Sequence, residues 1–298
     1  MKLLITGSNG LLGQKLVQLL KGKKEVELIA TAVGENRLPD KNGYIFESMD
    51  ITNPTDIQRV FKQHQPTHVI HTAAMTNVDQ CEEDEAGREL LNVTAVKYLV
   101  EACSKYNSFL CHLSTDFIFD GENGPYTEVA EANPISIYGE SKLKAEEIIK
   151  SSNIRWAIAR TVLVFGIVAD MSRTNIILWV KKSLEDGKEI KVVTDQFRTP
   201  TLAEDLAMGC WLIVQKEAEG IFNISGKDFL TPYEMAIKTA DFFKLDKSLI
   251  QIADSSTFTQ KAKRPPRTGF DISKARTVLG YEPHSFEEGI KLVAAQLV

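Results

Sequence analysis

The chain has 298 residues, enough to bury roughly 75% of its unfolded surface and build a core unaided. Its net charge of −5 argues against a broad nucleic-acid surface, and its most apolar run, residues 156–169, is interrupted by Arg160 and too short to span a bilayer. The cysteines, Cys81, Cys103, Cys111 and Cys210, form no C-x-x-C pair; with a strand expected from residue 2 and no leader before it, they are expected reduced, in the cytoplasm.

Residues 2–6 are apolar without polar alternation, as in a parallel strand covered on both faces. Gly7, Gly10 and Gly13 follow at a G-x-x-G-x-x-G spacing and open a helix over about 10–20. Gly7 permits a tight turn, Gly10 lets backbone approach a pyrophosphate, and Gly13 lets the helix press on the strand. The free N–H groups of the first turn then face an anion. Strands are expected at 26–32, 46–49, 68–72, 109–113 and 154–163. Helices are expected at 56–64, 82–106 and 138–150. Asn53 caps the first of these helices, Pro54 stands at its first position and Pro66 stops it. This alternation predicts an α/β, Rossmann-type doubly wound parallel sheet.

After residue 163 the rhythm changes. Helices are expected at 175–186, 202–216, 231–243, 273–279 and 286–297, with strands at 190–193 and 220–224 and a polar, Pro-rich stretch over 251–269. Residues 1–165 read as the dinucleotide-binding domain, with returning segments from about 190–225. Residues 166–298 read as a smaller, interleaved substrate lobe at the C-terminal edge of the sheet, where open α/β sheets bind ligands.

Tyr138 and Lys142 stand at i and i+4, on one face of the predicted helix. An ammonium near a phenol stabilises the phenolate by roughly 3 kcal/mol at an effective dielectric near 20. The strand over 109–113 ends at Ser114-Thr115-Asp116 on the ligand edge, where Thr115 is placed to bond a substrate carbonyl and Ser114 reads as structural. His71 and His112, at strand ends without a second ligand at metal spacing, read as core or edge residues.

These motifs together resemble the extended short-chain dehydrogenase/reductase family, over nearly the whole chain. Residues 74–82 (AMTNVDQCE), 114–121 (STDFIFDG) and 264–271 (RPPRTGFD) are similar to its dTDP-4-dehydrorhamnose reductase branch, which also includes the regulatory beta subunit of methionine adenosyltransferase. The resemblance implies NAD(P)H-dependent reduction of the C4 keto group of a nucleotide-linked 4-keto-6-deoxy sugar. Thr115, Tyr138 and Lys142 would be catalytic. Cofactor contacts are implied at Gly7, Asn9, Gly10, Leu11, Leu12, Gly13, Arg37, Asp50, Ile51, Ala73, Ala74, Met75 and Asn92 as well as at Tyr138 and Lys142. Substrate contacts are implied at Thr76, Val78, Thr115, Asp116 and Arg264, and Arg198 joins them as a candidate on its own charge. The branch often forms homodimers, sometimes with interfacial Mg²⁺, but no clear ligand set stands near the C-terminus, and no metal ligand is assigned.

An acid at the end of the second strand favours NAD. Ala32 occupies that place and Arg37 lies just beyond, so NADP is expected over NAD, with Glu35 opposing. Three residues depart from the branch pattern: Phe117 replaces a tyrosine, Leu163 a tryptophan that lies against substrate in the reductase, and Arg198 a glycine. Arg198 either meets a diphosphate or closes the pocket. These departures keep open a non-catalytic NADP-binding regulatory subunit, and beyond it another nucleotide-sugar epimerase or dehydratase.

Overall fold

The computed structural model describes residues 1–171, 174–258 and 261–297, so positions 259 and 260 of the polar stretch lie outside the described residues. The first half runs β1 (Lys2–Thr6), α1 (Leu11–Leu20), β2 (Glu27–Ala32), β3 (Ile45–Ser48), α2 (Pro54–His64), β4 (His68–His71), α3 (Val78–Glu83), α4 (Glu85–Glu89), α5 (Ala95–Tyr106), β5 (Phe109–Thr115), α6 (Ile137–Lys150) and β6 (Trp156–Thr161). It continues through β7 (Val164–Phe165), α7 (Ile176–Glu185), β8 (Ile190–Val193), β9 (Thr201–Leu202), α8 (Ala203–Gln215), β10 (Gly220–Asn223), α9 (Pro232–Phe243), β11 (Ile250–Ala253) and α10 (Phe286–Ala295).

Seven parallel strands form one sheet in the order β3-β2-β1-β4-β5-β6-β10. The order reverses between β1 and β4, the crevice where this topology takes ligands. Alternate strand residues serve opposite faces. Leu3, Ile5 and Leu28 pack with α1 and α8. Leu4, Ile29, Val69, Leu110 and Ile158 pack with α2, α5 and α6. Outside the sheet, β8 and β11 pair in parallel, and α7, α9 and α10 bury two further apolar clusters.

Local chemistry accounts for most boundaries. Asn53 caps α2, accepting from Thr55 N with Pro54 at its first position. Thr231 and Glu234 form a reciprocal capping box on α9. The single helix expected over 82–106 does not form. The Asp84 carboxylate accepts from Gly87 N at 2.8 Å and restarts the chain as α4, and Leu90–Thr94 then winds as a π-turn into α5. The helix expected over 273–279 likewise ends in a π-turn, Ala275–Leu279. β5 runs two residues further than expected, so Thr115 is its last residue. No helix among the described residues is long and apolar enough to cross a membrane.

Candidate active site

Gly7 sits at φ +70°, and a Cβ there would stand 2.8 Å from Ala73 N and from Thr72 Oγ1. Thr72 Oγ1 donates to Thr6 O at 2.7 Å, fastening the end of β4 to the turn. A Cβ on Gly13 would stand 2.2 Å from Gly7 O, so α1 presses on the turn itself. Gly10 is exposed and caps α1 without a side-chain bond, which leaves the first-turn N–H groups of Leu11, Leu12 and Gly13 to an external acceptor. Ser8 Oγ, just beneath, is buried and has no partner among the described residues. These features fit the pyrophosphate of a dinucleotide.

Asn9 ties the turn to the loop after β2. Its Nδ2 donates to Glu35 O at 2.8 Å and its Oδ1 accepts from Arg37 N at 3.0 Å. The Arg37 side chain is exposed, and Ala32 at the end of β2 carries no acid. Asp50, half-buried after β3, accepts from Thr52 N and Thr52 Oγ1, and Ile51 beside it is buried. Ala73 and Ala74 are half-buried beyond β4.

Tyr138 and Lys142 lie on the buried face of α6, 7% and 3% exposed. Ser136 caps this helix, accepting from Gly139 N at 3.2 Å. A Cβ on Gly139 would stand 2.1 Å from Phe117 O, so the first turn of α6 is pressed against the end of β5. Tyr138 packs with Met75 and Cys81 and meets the Phe117 ring edge-on at 5.7 Å. Lys142 Nζ donates to Leu113 O at 2.7 Å and faces His112 Nε2 at 3.3 Å. Burial pulls the Lys142 ammonium down to about 8, against the opposing effect of Glu146 and Cys81.

Asn92 was expected at the cofactor, but the π-turn aims it inward. Its Oδ1 accepts from Met75 N at 2.8 Å, and its Nδ2 donates to Met75 O and to Ser141 Oγ, both at 3.1 Å. Ser141 Oγ in turn donates to Tyr138 O at 2.7 Å. The amide is therefore engaged within the protein, where it fixes the loop after β4 to α6.

Thr115 Oγ1 donates to Asp116 Oδ1 at 3.1 Å and accepts from Phe117 N at 3.3 Å. Asp116 is buried, bonded by Thr268 Oγ1 and 3.8 Å from Arg198 Nε. Burial pushes its carboxyl up, and Arg198 pulls it back. Arg198 donates to the carbonyls of Phe197, Pro265 and Pro266 at 2.7–3.1 Å and is itself buried. A guanidinium so enclosed has its donors engaged by the protein's own carbonyls. Arg264 reaches Asp79 at 2.8 Å, while Thr76 is exposed and Val78 half-buried at the start of α3.

The model of the RmlD substrate binding domain matches residues 1–298. The chain belongs to that family. It is 31% identical to a crystal structure of a dTDP-4-dehydrorhamnose reductase from Clostridium acetobutylicum, covering 100% of this chain and 99% of that one with a TM-score of 0.89. It is 25% identical to a dTDP-4-dehydrorhamnose reductase from Bacillus anthracis solved with NADP, covering 99% of each chain at a TM-score of 0.84. It is also 30% identical to methionine adenosyltransferase 2 subunit beta from Rattus norvegicus, over 97% of this chain and 86% of the relative.

In this member of the RmlD substrate binding domain family, two features were missed from sequence. One is a cavity of about 430 Å³ in the second half, lined by Leu163, Asn175, Trp179, Val193, Gln196 and Phe258. None of Thr115, Tyr138 and Lys142 lines it; Leu163, two residues beyond β6, connects it to the sheet edge. Its residues come from five separate segments, so no local motif signals it. The other is the row Thr31, Thr6, His71 and His112, paired side by side across β2, β1, β4 and β5. The histidines are core residues, as expected, but this row ends on Lys142. Among the described residues no group of three or more His, Cys, Asp or Glu side chains is arranged to hold a metal.

Proposed function

We propose that this chain reduces the C4 keto group of a nucleotide-linked 4-keto-6-deoxy sugar, a reaction of the dTDP-4-dehydrorhamnose reductase type, with NADPH as preferred donor. The observation that carries this reading is the buried pair Tyr138 and Lys142 on one face of α6, with Lys142 bonded to Leu113 O of β5. With its pyrophosphate on the Gly7–Gly13 turn, a bound dinucleotide would supply the hydride for C4 from its nicotinamide. Tyr138 donates its phenolic proton to the oxygen that becomes the alcohol. Lys142 favours the phenolate left behind and holds the cofactor ribose. Thr115 orients the keto oxygen, which requires its hydroxyl to turn from Asp116 by rotation about one bond.

NADPH is preferred because β2 ends without an acid and Arg37 stands exposed beside the turn, its backbone fixed by Asn9. The NADP in the Bacillus anthracis relative supports this. The nucleotide of the substrate belongs in the cavity lined by Leu163, Asn175 and Trp179. The free cysteines, all buried, suit a reducing compartment, and we place the protein in the cytoplasm. The test is NADPH oxidation with dTDP-4-keto-6-deoxy sugars. Tyr138→Phe lowers turnover about 10²–10⁴-fold while still binding NADPH; turnover equal to the wild type would overturn the mechanism.

A second reading rests on Arg198. Its enclosure, with a leucine rather than a tryptophan at position 163, favours a regulatory subunit that keeps the cofactor fold. The 30% identity to a relative named as a subunit supports it. Co-purification from a cell extract separates the two: no stoichiometric partner, together with sugar-dependent NADPH oxidation, excludes this second reading.

A further inference from the structure

Lys142 is buried, yet among the described residues no carboxylate lies within ion-pair distance of its Nζ. Glu146, the carboxylate at i+4 on its own helix, is taken by Arg160 at 2.7 Å and Lys150 at 3.0 Å. An ammonium has three N–H donors and needs acceptors for them once water is excluded. Leu113 O takes one. Among the described residues His112 Nε2 faces Nζ as a second acceptor at 3.3 Å.

We propose that His112, backed by His71 and Thr6, is a positioning residue that keeps Lys142 protonated and aimed at the cofactor site. A ring nitrogen facing an ammonium presents its lone pair, so the His112 proton resides on Nδ1. Nδ1 is buried without a partner among the described residues, as is His71 Nε2. The two rings lie 5.1 Å apart, and His71 Nδ1 meets Thr6 Oγ1 at 2.7 Å, directly before Gly7. A purely structural role at these 1%-exposed positions would be filled by Val or Ile, as it is at Val69 and Ile158 on the same face.

The groups facing Lys142 all bear on its charge. His112 approaches from β5 with His71 behind it on β4. Tyr138 and Glu146 share α6, and Cys81 comes from α3. Burial keeps both histidines neutral well below their usual range, so His112 remains an acceptor at every pH where the protein works. Burial also brings Lys142 to about 8, so a small loss of support discharges it near neutral pH.

The inference rests on the reductase reading for its kinetic arm only. The first arm is NMR of the ligand-free protein labelled on lysine, with the Lys142 signal assigned by its loss in Lys142→Met. The Lys142 midpoint falls by about one pH unit or more in His112→Leu. It is restored in His112→Gln, whose Oε1 accepts. Should His112→Leu fail to fold, His112→Asn, whose amide stops short of Nζ, takes its place. The second arm is the alkaline limb of kcat, which moves down in step while KM for NADPH stays within about twofold. An unshifted midpoint in the leucine or asparagine variant overturns the proposal. A shifted midpoint in a chain that reduces no sugar overturns the reductase reading and leaves this one standing.

Discussion

Arg198 Nε lies 3.8 Å from Asp116 Oδ2, with both side chains buried. The guanidinium also holds three backbone carbonyls, two of them in the prolines of the 264–271 loop. Arg198→Met leaves a buried carboxylate uncompensated and frees the loop. The expected loss is about 3–5 kcal/mol, the usual effect of breaking a buried pair. Adding Asp116→Asn removes the orphaned charge and recovers part of it. Urea denaturation of both single variants and the double variant checks this; additive losses would mean the two residues do not act as a pair.

Asp79 clasps α3 to the chain at 262–264, accepting from Arg264 at 2.8 Å and from Ala262 N at 3.1 Å. The Arg264 guanidinium, with help from that N–H, holds the Asp79 carboxyl below the usual carboxylate range. The pair is partly exposed, so either truncation changes stability by less than about 1 kcal/mol. Its functional effect is directional. If Arg264 receives a substrate diphosphate, Asp79 competes for it. Arg264→Ala then raises KM for the nucleotide sugar, and Asp79→Asn lowers it, with a smaller difference at high salt. A rise in both variants would mean that the clasp positions the loop instead.

Leu163 lies at φ +36° and is 42% exposed on the wall of the cavity. Any L-residue there carries the same backbone strain, so Leu163→Trp adds none, and the half-exposed position changes stability by less than about 0.5 kcal/mol. The indole restores an aromatic face against which a substrate can stack. In a reductase this variant lowers KM for the nucleotide sugar. In a regulatory subunit, sugar binding stays undetectable in both forms, as titration calorimetry would read.

The parts legible in sequence were those written locally. The glycine turn, the Asn53 cap and the Tyr138–Lys142 spacing are each decided within seven residues of chain, and the structure carries each as expected. One failure was a local cap passed over, and the others occurred where distant residues decide. Asp84 breaks the predicted 82–106 helix only because Gly87 has no Cβ to meet its carboxylate. The π-turn at Leu90–Thr94 serves Asn92, whose partners are 17 and 49 residues away. The inward turn of Arg198 depends on carbonyls 67 and 68 positions ahead. Helical periodicity carries no trace of such partners.

His71 and His112 set an acid limit. Burial lowers His71 to about 3 in the folded protein, with Lys142 adding to the effect, while the unfolded chain titrates near 6.5. Between those values the unfolded state binds more protons, so stability falls as pH drops through 6.5 toward 3. Each such histidine contributes a slope of about 1.4 kcal/mol per pH unit. Above the carboxylate range His68, which burial also lowers, adds to the same slope. His71→Gln is expected to flatten it by one histidine's share, as urea midpoints between mildly acidic and neutral pH would show. An unchanged slope would mean that the ring is protonated, or reached by water, in the native state.

Cofactor choice turns on two positions at the end of β2. A 2′-phosphate carries charge that needs a cation, whereas a 2′-hydroxyl is held by an acid. Asn9 fixes the Arg37 backbone at 3.0 Å from its side-chain oxygen, so the exposed guanidinium starts from a defined point beside the glycine turn. Arg37→Ala is expected to raise KM for NADPH about tenfold, the loss of one charge-assisted contact, and to leave KM for NADH unchanged. Ala32→Asp puts a carboxylate where the 2′-phosphate would lie, repelling NADPH while offering an acceptor to NADH. The ratio of kcat/KM for the two donors therefore falls in both variants, by different routes: through weaker NADPH binding in the first, and through both donors in the second. If the ratio is unmoved in Arg37→Ala but falls in Ala32→Asp, the phosphate is held by backbone of the turn rather than by Arg37. In that case the exposed Glu35, whose carbonyl is already bonded to Asn9, is the next residue to substitute.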